Sequence, residues 1–242
     1  MAGPRPGYGG GGGAVPWLPM FSTVALGDFA TLDNYITAVT DHGGGEMTLT
    51  LDKTMQRTAV GNGDLLYLDL GQHIKAAGSG THVLEARITT ITRPANVAGS
   101  PFVAFCHNVG VNSRTATGPV LSLFYGATDS ARLTTLLSSV TSTASGLGTV
   151  ASWLLRYAHA TAVGVNQYGV TADAIGGTAA SARWSIMSTV TPPDAANIEV
   201  GYNQAGGQSH ALAFSQLVSQ PAGSDTLRIR CEYRVVPFNC AE

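Results

Sequence analysis

The run HGGGE at positions 42–46 is the one place where a titratable ring, a carboxylate and a glycine-rich loop fall together. Loops of this type offer backbone N–H groups to an oxyanion in some esterases. Those enzymes also need a nucleophile elbow of the form Gly-x-Ser-x-Gly, and none occurs in the chain. The run therefore reads as a turn feeding a strand that starts near Glu46. His42 and Glu46 would be the residues to mutate if the fold assembled a hydrolase site.

Other chemistry is as sparse. The histidines stand at 42, 73, 82, 107, 159 and 210; His73 and His82 fit neither the i,i+4 spacing of a helix face nor the i,i+2 spacing of a strand, so no local metal site is expected. Asp28, Asp33 and Asp41 are too far apart for a calcium loop, and no phosphate-binding Gly-x-x-x-x-Gly-Lys motif is present. A pair of glycosidase carboxylates is assembled by the fold rather than by local spacing, and nothing local points to one. No cofactor is implied. Cys106 lies in the apolar run FVAFC and Cys231 points inward in an alternating strand, so both read as small buried hydrophobes, while Cys240 lies near the end; a Cys231–Cys240 bridge remains open.

One cluster stands out. Thr226 to Pro237 reads TLRIRCEYRVVP, with Leu227, Ile229, Cys231, Tyr233 and Val235 on one side of a period of two and Thr226, Arg228, Arg230, Glu232 and Arg234 on the other. That is a half-buried strand with three arginines on its second face. The chain is otherwise poor in charge: 13 Lys+Arg against 15 Asp+Glu give 12% charged residues and a net charge of −2 over 242 residues. Soluble proteins carry about 25%. Such a surface suggests broad covered interfaces, whose cores are depleted in charge for the same desolvation reason as protein interiors. A sequence pI near 6.3 and a single basic cluster argue against duplex binding. The uncharged stretch between Arg132 and Arg156 is long enough to span a bilayer but rich in Ser, Thr and Gly, so no membrane span is expected.

The elements that must position these residues follow from periodicity. Residues 1–20 form a flexible Gly/Pro-rich arm whose apolar anchors are Val15, Trp17 and Leu18, and residues 21–242 form a single domain. Strands are expected in EMTLTLD, DLLYLDL, HVLEARITTIT, SPFVAFCHN, GPVLSLFYG, ARWSIMSTV, NIEVGYN, HALAFSQLV and TLRIRCEYRVV; SPFVAFCHN and GPVLSLFYG read as strands buried on both faces or at an interface. Helices are expected over Phe29–Thr40, from Asp129 or Ser130 through Val140, and from Thr149 to His159. The fold class is mainly β: an antiparallel β-sandwich of jelly-roll type with two or three short inserted helices.

The arm 1–20, the strand series from Glu46 to Phe124 and the closing pair HALAFSQLV and TLRIRCEYRVVPF resemble in layout the shell domain of viral jelly-roll coat (capsid) proteins. The resemblance implies a virion structural protein, a capsid shell, cement or outer-layer subunit, that is not an enzyme and self-assembles with copies of itself and with other virion proteins. Trp17, Leu18, Arg228, Arg230 and Arg234 would form the assembly interface. Coat proteins that package RNA directly often carry a basic arm; here the arm is glycine with the single Arg5, which argues against nucleic-acid contact through it. An alternative is a receptor- or glycan-binding trimeric sandwich on a virion or cell surface, using aromatics such as Tyr125, Tyr168 and Tyr202 to stack sugars.

Overall fold

The structure, a computed structural model, describes residues 15–30, 34–56, 63–68, 70, 82–110, 119–135, 140–144, 147–162, 165–175, 183–188, 198–199, 202–203 and 208–237. In chain order its strands are β1 (Leu18–Pro19), β2 (Phe29–Ala30), β3 (Ile36–Gly43), β4 (Glu46–Asp52), β5 (Asp64–Leu68), β6 (His82–Thr92), β7 (Pro101–Gly110), β8 (Pro119–Phe124) and β9 (Ser130–Thr135). They continue with β10 (Val140–Ala144), β11 (Ser152–Ala162), β12 (Val165–Ile175), β13 (Arg183–Ser188), β14 (Ile198–Glu199), β15 (Tyr202–Asn203), β16 (Gln208–Gln216) and β17 (Ser224–Pro237).

Two antiparallel sheets face each other. The front sheet runs β13, β12, β11, β6, β17, β4, β3, with β1 also paired to β17; the back sheet runs β10, β9, β8, β7, β16, β5, β2. The chain passes from front to back and back again through β4, β5, β6 and β7, and its last two strands enter the middle of each sheet. This is an antiparallel β-sandwich of jelly-roll type. Alternation places Met47, Leu49 and Leu51 of β4, Ile88 of β6, and Leu227, Ile229, Cys231 and Tyr233 of β17 in one core with Val103, Phe105, Leu121, Leu123, Leu212 and Phe214 of the back sheet.

The back sheet is buried on its other face too. Leu65, Phe102, Ala104, Cys106, Val120, Ala211 and Ala213 form a second apolar layer, which bears out the continuous apolar runs read as doubly buried strands. Cys106 and Cys231 are free and buried, and burial pushes the Cys106 thiol up to about 12. Cys240 lies outside the described residues.

The inserted helices are corrected. Phe29–Thr40 contains β2 and the start of β3: Asn34 takes a left-handed φ of 56°, and the Ile36 amide donates to buried Asp64 at 2.8 Å, which ties the segment to β5. Ser130–Thr135 and Val140–Ala144 pair as the hairpin β9–β10, and Ser152–Ala162 is β11, paired to β6 and β12. Phe29–Thr40 and the β9–β10 segments are rich in Thr, Ser or Val, which favour strands over helices, and β11 is fixed by pairing on both sides, so sheet pairing overrides the helical spacing. Asp129 caps no helix; its buried carboxylate takes Arg93 at 2.7 Å and the Val150 amide at 2.8 Å. Among the described residues helix is confined to one 3-10 turn, Leu26–Asp28, and no helix is long and apolar enough to cross a membrane.

Candidate interaction surface

The outer face of the front sheet gathers most of the charge pairs described in the chain. Along β17, Arg230 stands opposite Glu46 of β4, Glu232 opposite Arg87 of β6, and Arg234 opposite Glu85 of β6. Each opposition is an ion pair: Arg230 Nη2 lies 2.5 Å from Glu46 Oε2, Arg87 Nη2 2.7 Å from Glu232 Oε2, and Arg234 Nε 2.6 Å from Glu85 Oε2. Arg228, one diagonal step away, also binds Glu46 through Nε at 2.8 Å and through Nη2. The hydrogen bonds from Arg230 and then Arg228 hold the Glu46 carboxyl below its ordinary range, and Glu46 in turn raises Arg230. Glu46 is buried while Arg228 and Arg230 are 38% and 49% exposed at their side chains.

The arm is rooted on the same face. The Trp17 ring lies 4.2 Å from the Arg87 guanidinium carbon and 4.4 Å from that of Arg234, and Arg234 Nη1 donates to the Val15 carbonyl at 3.3 Å. β1 then takes the lane that β4 leaves: Leu18 pairs with Tyr233, Pro19 with Glu232, and the Met20 amide donates to the Cys231 carbonyl at 3.0 Å. Leu18 is exposed at 38%, whereas Met20 is buried in the core. The HGGGE run is the β3–β4 turn, as its glycines suggested. The Gly45 carbonyl accepts from the Cys231 amide at 2.8 Å, and His42 Nε2 lies 2.8 Å from Thr48 Oγ1.

Of the residues singled out in the sequence, Trp17 and Arg234 are in contact, Arg228 and Arg230 share one carboxylate, and Leu18 lies beside Tyr233. Sequence reasoning passed over Glu46, Glu85, Arg87 and Glu232 as partners. The signal was there: Glu85-Ala-Arg87 and Glu232-Tyr-Arg234 are the same Glu-x-Arg pattern, and two copies laid antiparallel pair each acid with an arginine. Tyr125 is corrected as an exposed stacking aromatic. It is buried, its hydroxyl 3.0 Å from Thr90 Oγ1. Tyr168 and Tyr202 sit on β12 and β15, with side chains outside the described residues. His73 lies outside the described residues, and no group of three or more metal-ligating side chains occurs among the described residues.

A pocket of about 410 Å³ opens between the two sheets beside β1, lined by Phe21, Ser22, Thr23, Tyr67, Leu70 and Tyr233 among others.

No family model matches the chain, and no curated protein matches it. Among solved structures, the chain is similar to a family 7 alginate lyase, A1-II′, solved with substrate (12% identity, 87% of this chain and 84% of that chain, TM-score 0.38). It is also similar to an alginate lyase from Pseudomonas aeruginosa (12% identity, 78% and 82%, TM-score 0.38) and to arcelin-5, a lectin-like defense protein from Phaseolus vulgaris (11% identity, 88% and 86%, TM-score 0.34). The expectation that the chain is not an enzyme is corrected here. Alginate lyases are among the structures the chain is similar to, and a catalytic site assembled by the fold leaves no local motif, so missing motifs exclude no enzyme.

Proposed function

We propose that the chain is a structural subunit of a virion, a shell, cement or outer-layer component that assembles with copies of itself through the outer face of its front sheet. One observation carries this reading: the root of the glycine-rich arm, Trp17 on Arg87 and Arg234, and the exposed Arg228–Arg230 pair lie on one face of the same strand. An arm leaving that face reaches whatever the face meets. The low charge of the whole chain supports contacts made by neutral groups over a broad area. Light scattering at low and high salt tests the reading. Closed particles or defined oligomers, impaired by removal of residues 1–14 with the Val15–Met20 root left intact, are the expected result. A monomer under every condition would overturn it.

A second reading, glycan binding, is favoured by the pocket beside β1, where the half-buried Tyr67 stands with Ser22 and Thr23. Saturable binding in a glycan screen, lost in Tyr67→Ala, is its expected signature.

A further inference from the structure

Glu46 is shared by two arginines, so around this one carboxylate positive charge exceeds negative. The other ion pairs on this face join Arg87 to Glu232 and Arg234 to Glu85. The local excess sits at Arg228 and Arg230, whose other cross-strand neighbours are the uncharged Thr48, Thr92 and Thr89.

The donors are unequally used as well. A guanidinium carries five N–H groups in a planar fork. In both residues Nε and Nη2 point at Glu46, Arg228 at Oε1 and Arg230 at Oε2. The Nη1 end of each fork has no partner in this contact, and both side chains are more than a third exposed. Holding two long side chains by one buried carboxylate removes the rotamer freedom that an anion would otherwise have to freeze. A carboxylate ligand needs one fork; two forks side by side suit a group with three or more oxygens.

From this geometry we infer that Arg228 and Arg230, positioned by Glu46, form a binding site for a tetrahedral oxyanion, a phosphate or sulfate group. The site stands on the Glu46 clamp and not on whether the chain assembles.

The test is a titration of the full chain with inorganic phosphate at constant ionic strength, read by calorimetry and by the Nε–Hε NMR signals of Arg228 and Arg230. Saturable binding that shifts those two signals is expected, with affinity about tenfold lower in Arg230→Gln. Glu46→Gln separates the clamp from bulk charge. It adds positive charge to the face, so simple attraction predicts tighter binding, whereas loss of the clamp predicts binding weaker by about threefold or more. The double variant Arg228→Lys with Arg230→Lys keeps the charge and the fold and is expected to lose most of the affinity. Absence of saturable binding, tighter binding by Glu46→Gln, full affinity in the double lysine variant, or equal affinity for acetate would each overturn the site. A short single-stranded oligonucleotide shifting the same signals at lower concentration than phosphate would identify a phosphodiester source; weaker binding would identify a free phosphate or monoester.

Discussion

Arg234 and Glu85 face each other across β17 and β6, Nε to Oε2 at 2.6 Å, and both are buried although they project from the outer face of their sheet. The Trp17 ring over Arg234 is one reason for that burial. A pair in this position is costly to break from one side, because the survivor stays charged without its counter-ion. Glu85→Leu is expected to cost about 3–5 kcal/mol in urea unfolding, and the double change Glu85→Leu with Arg234→Met to recover much of that loss. A double variant as unstable as the single one would show that the pair itself supplies the stability.

Trp17→Ala removes two cation–π contacts worth about 0.5–1 kcal/mol each and leaves the arm root held by β1 and by the Arg234–Val15 hydrogen bond. The Met20 amide, bonded to the Cys231 carbonyl, should then exchange its hydrogen about five- to thirtyfold faster, while the amides of β4 keep their protection.

Gly45 has φ of +76°, and a Cβ there would collide with the Cys231 carbonyl and crowd Pro19. Gly44 has φ of +61° and open space around its Cβ position. Gly44→Ala is expected to cost about 1 kcal/mol from backbone strain alone. Gly45→Ala should cost clearly more, since the backbone of β17 or of the arm must move. Equal melting temperatures for the two variants would contradict this.

His210 is buried against the Phe105 ring at 5.7 Å, and burial lowers its pKa to about 3. Its neutral form is the one the fold accepts. Between the unfolded value near 6.5 and about 3, the unfolded chain binds a proton that the folded chain does not, so stability falls with falling pH by about 1.4 kcal/mol per unit. His210→Gln should flatten that slope. The lowered Glu46 pKa has the same sign but acts below the ordinary carboxyl value of 4.5, so comparing slopes above and below that pH separates the two.

Strands whose alternation is strict were legible in the sequence. His82–Thr92 matches HVLEARITTIT, and β17 buries Leu227, Ile229, Cys231 and Tyr233 as its period demands. Where the helical periodicity of Leu133, Leu136, Leu137 and Val140 competed with a background of Ser and Thr, the period misled, because three leucines and a valine at loose spacing do not decide between a helix and the paired strands β9 and β10. The three arginines of the last strand were also legible, but their partners lie in strands far away in sequence. Only register decides that Arg234 meets Glu85 and that Arg228 shares Glu46 with Arg230.

The placement of β16 and β17 bears on how the protein is made. β17 lies between β4 and β6, and β16 between β5 and β7. The strands that join the two halves of each sheet are thus synthesised after the strands they join. Until they arrive, the half-sheets present unpaired edges to each other and to neighbouring chains. Closure then requires pairing over most of the sequence, which is slow. The rate of synthesis and the local concentration of nascent chains, and not equilibrium stability alone, set the yield of correctly folded protein.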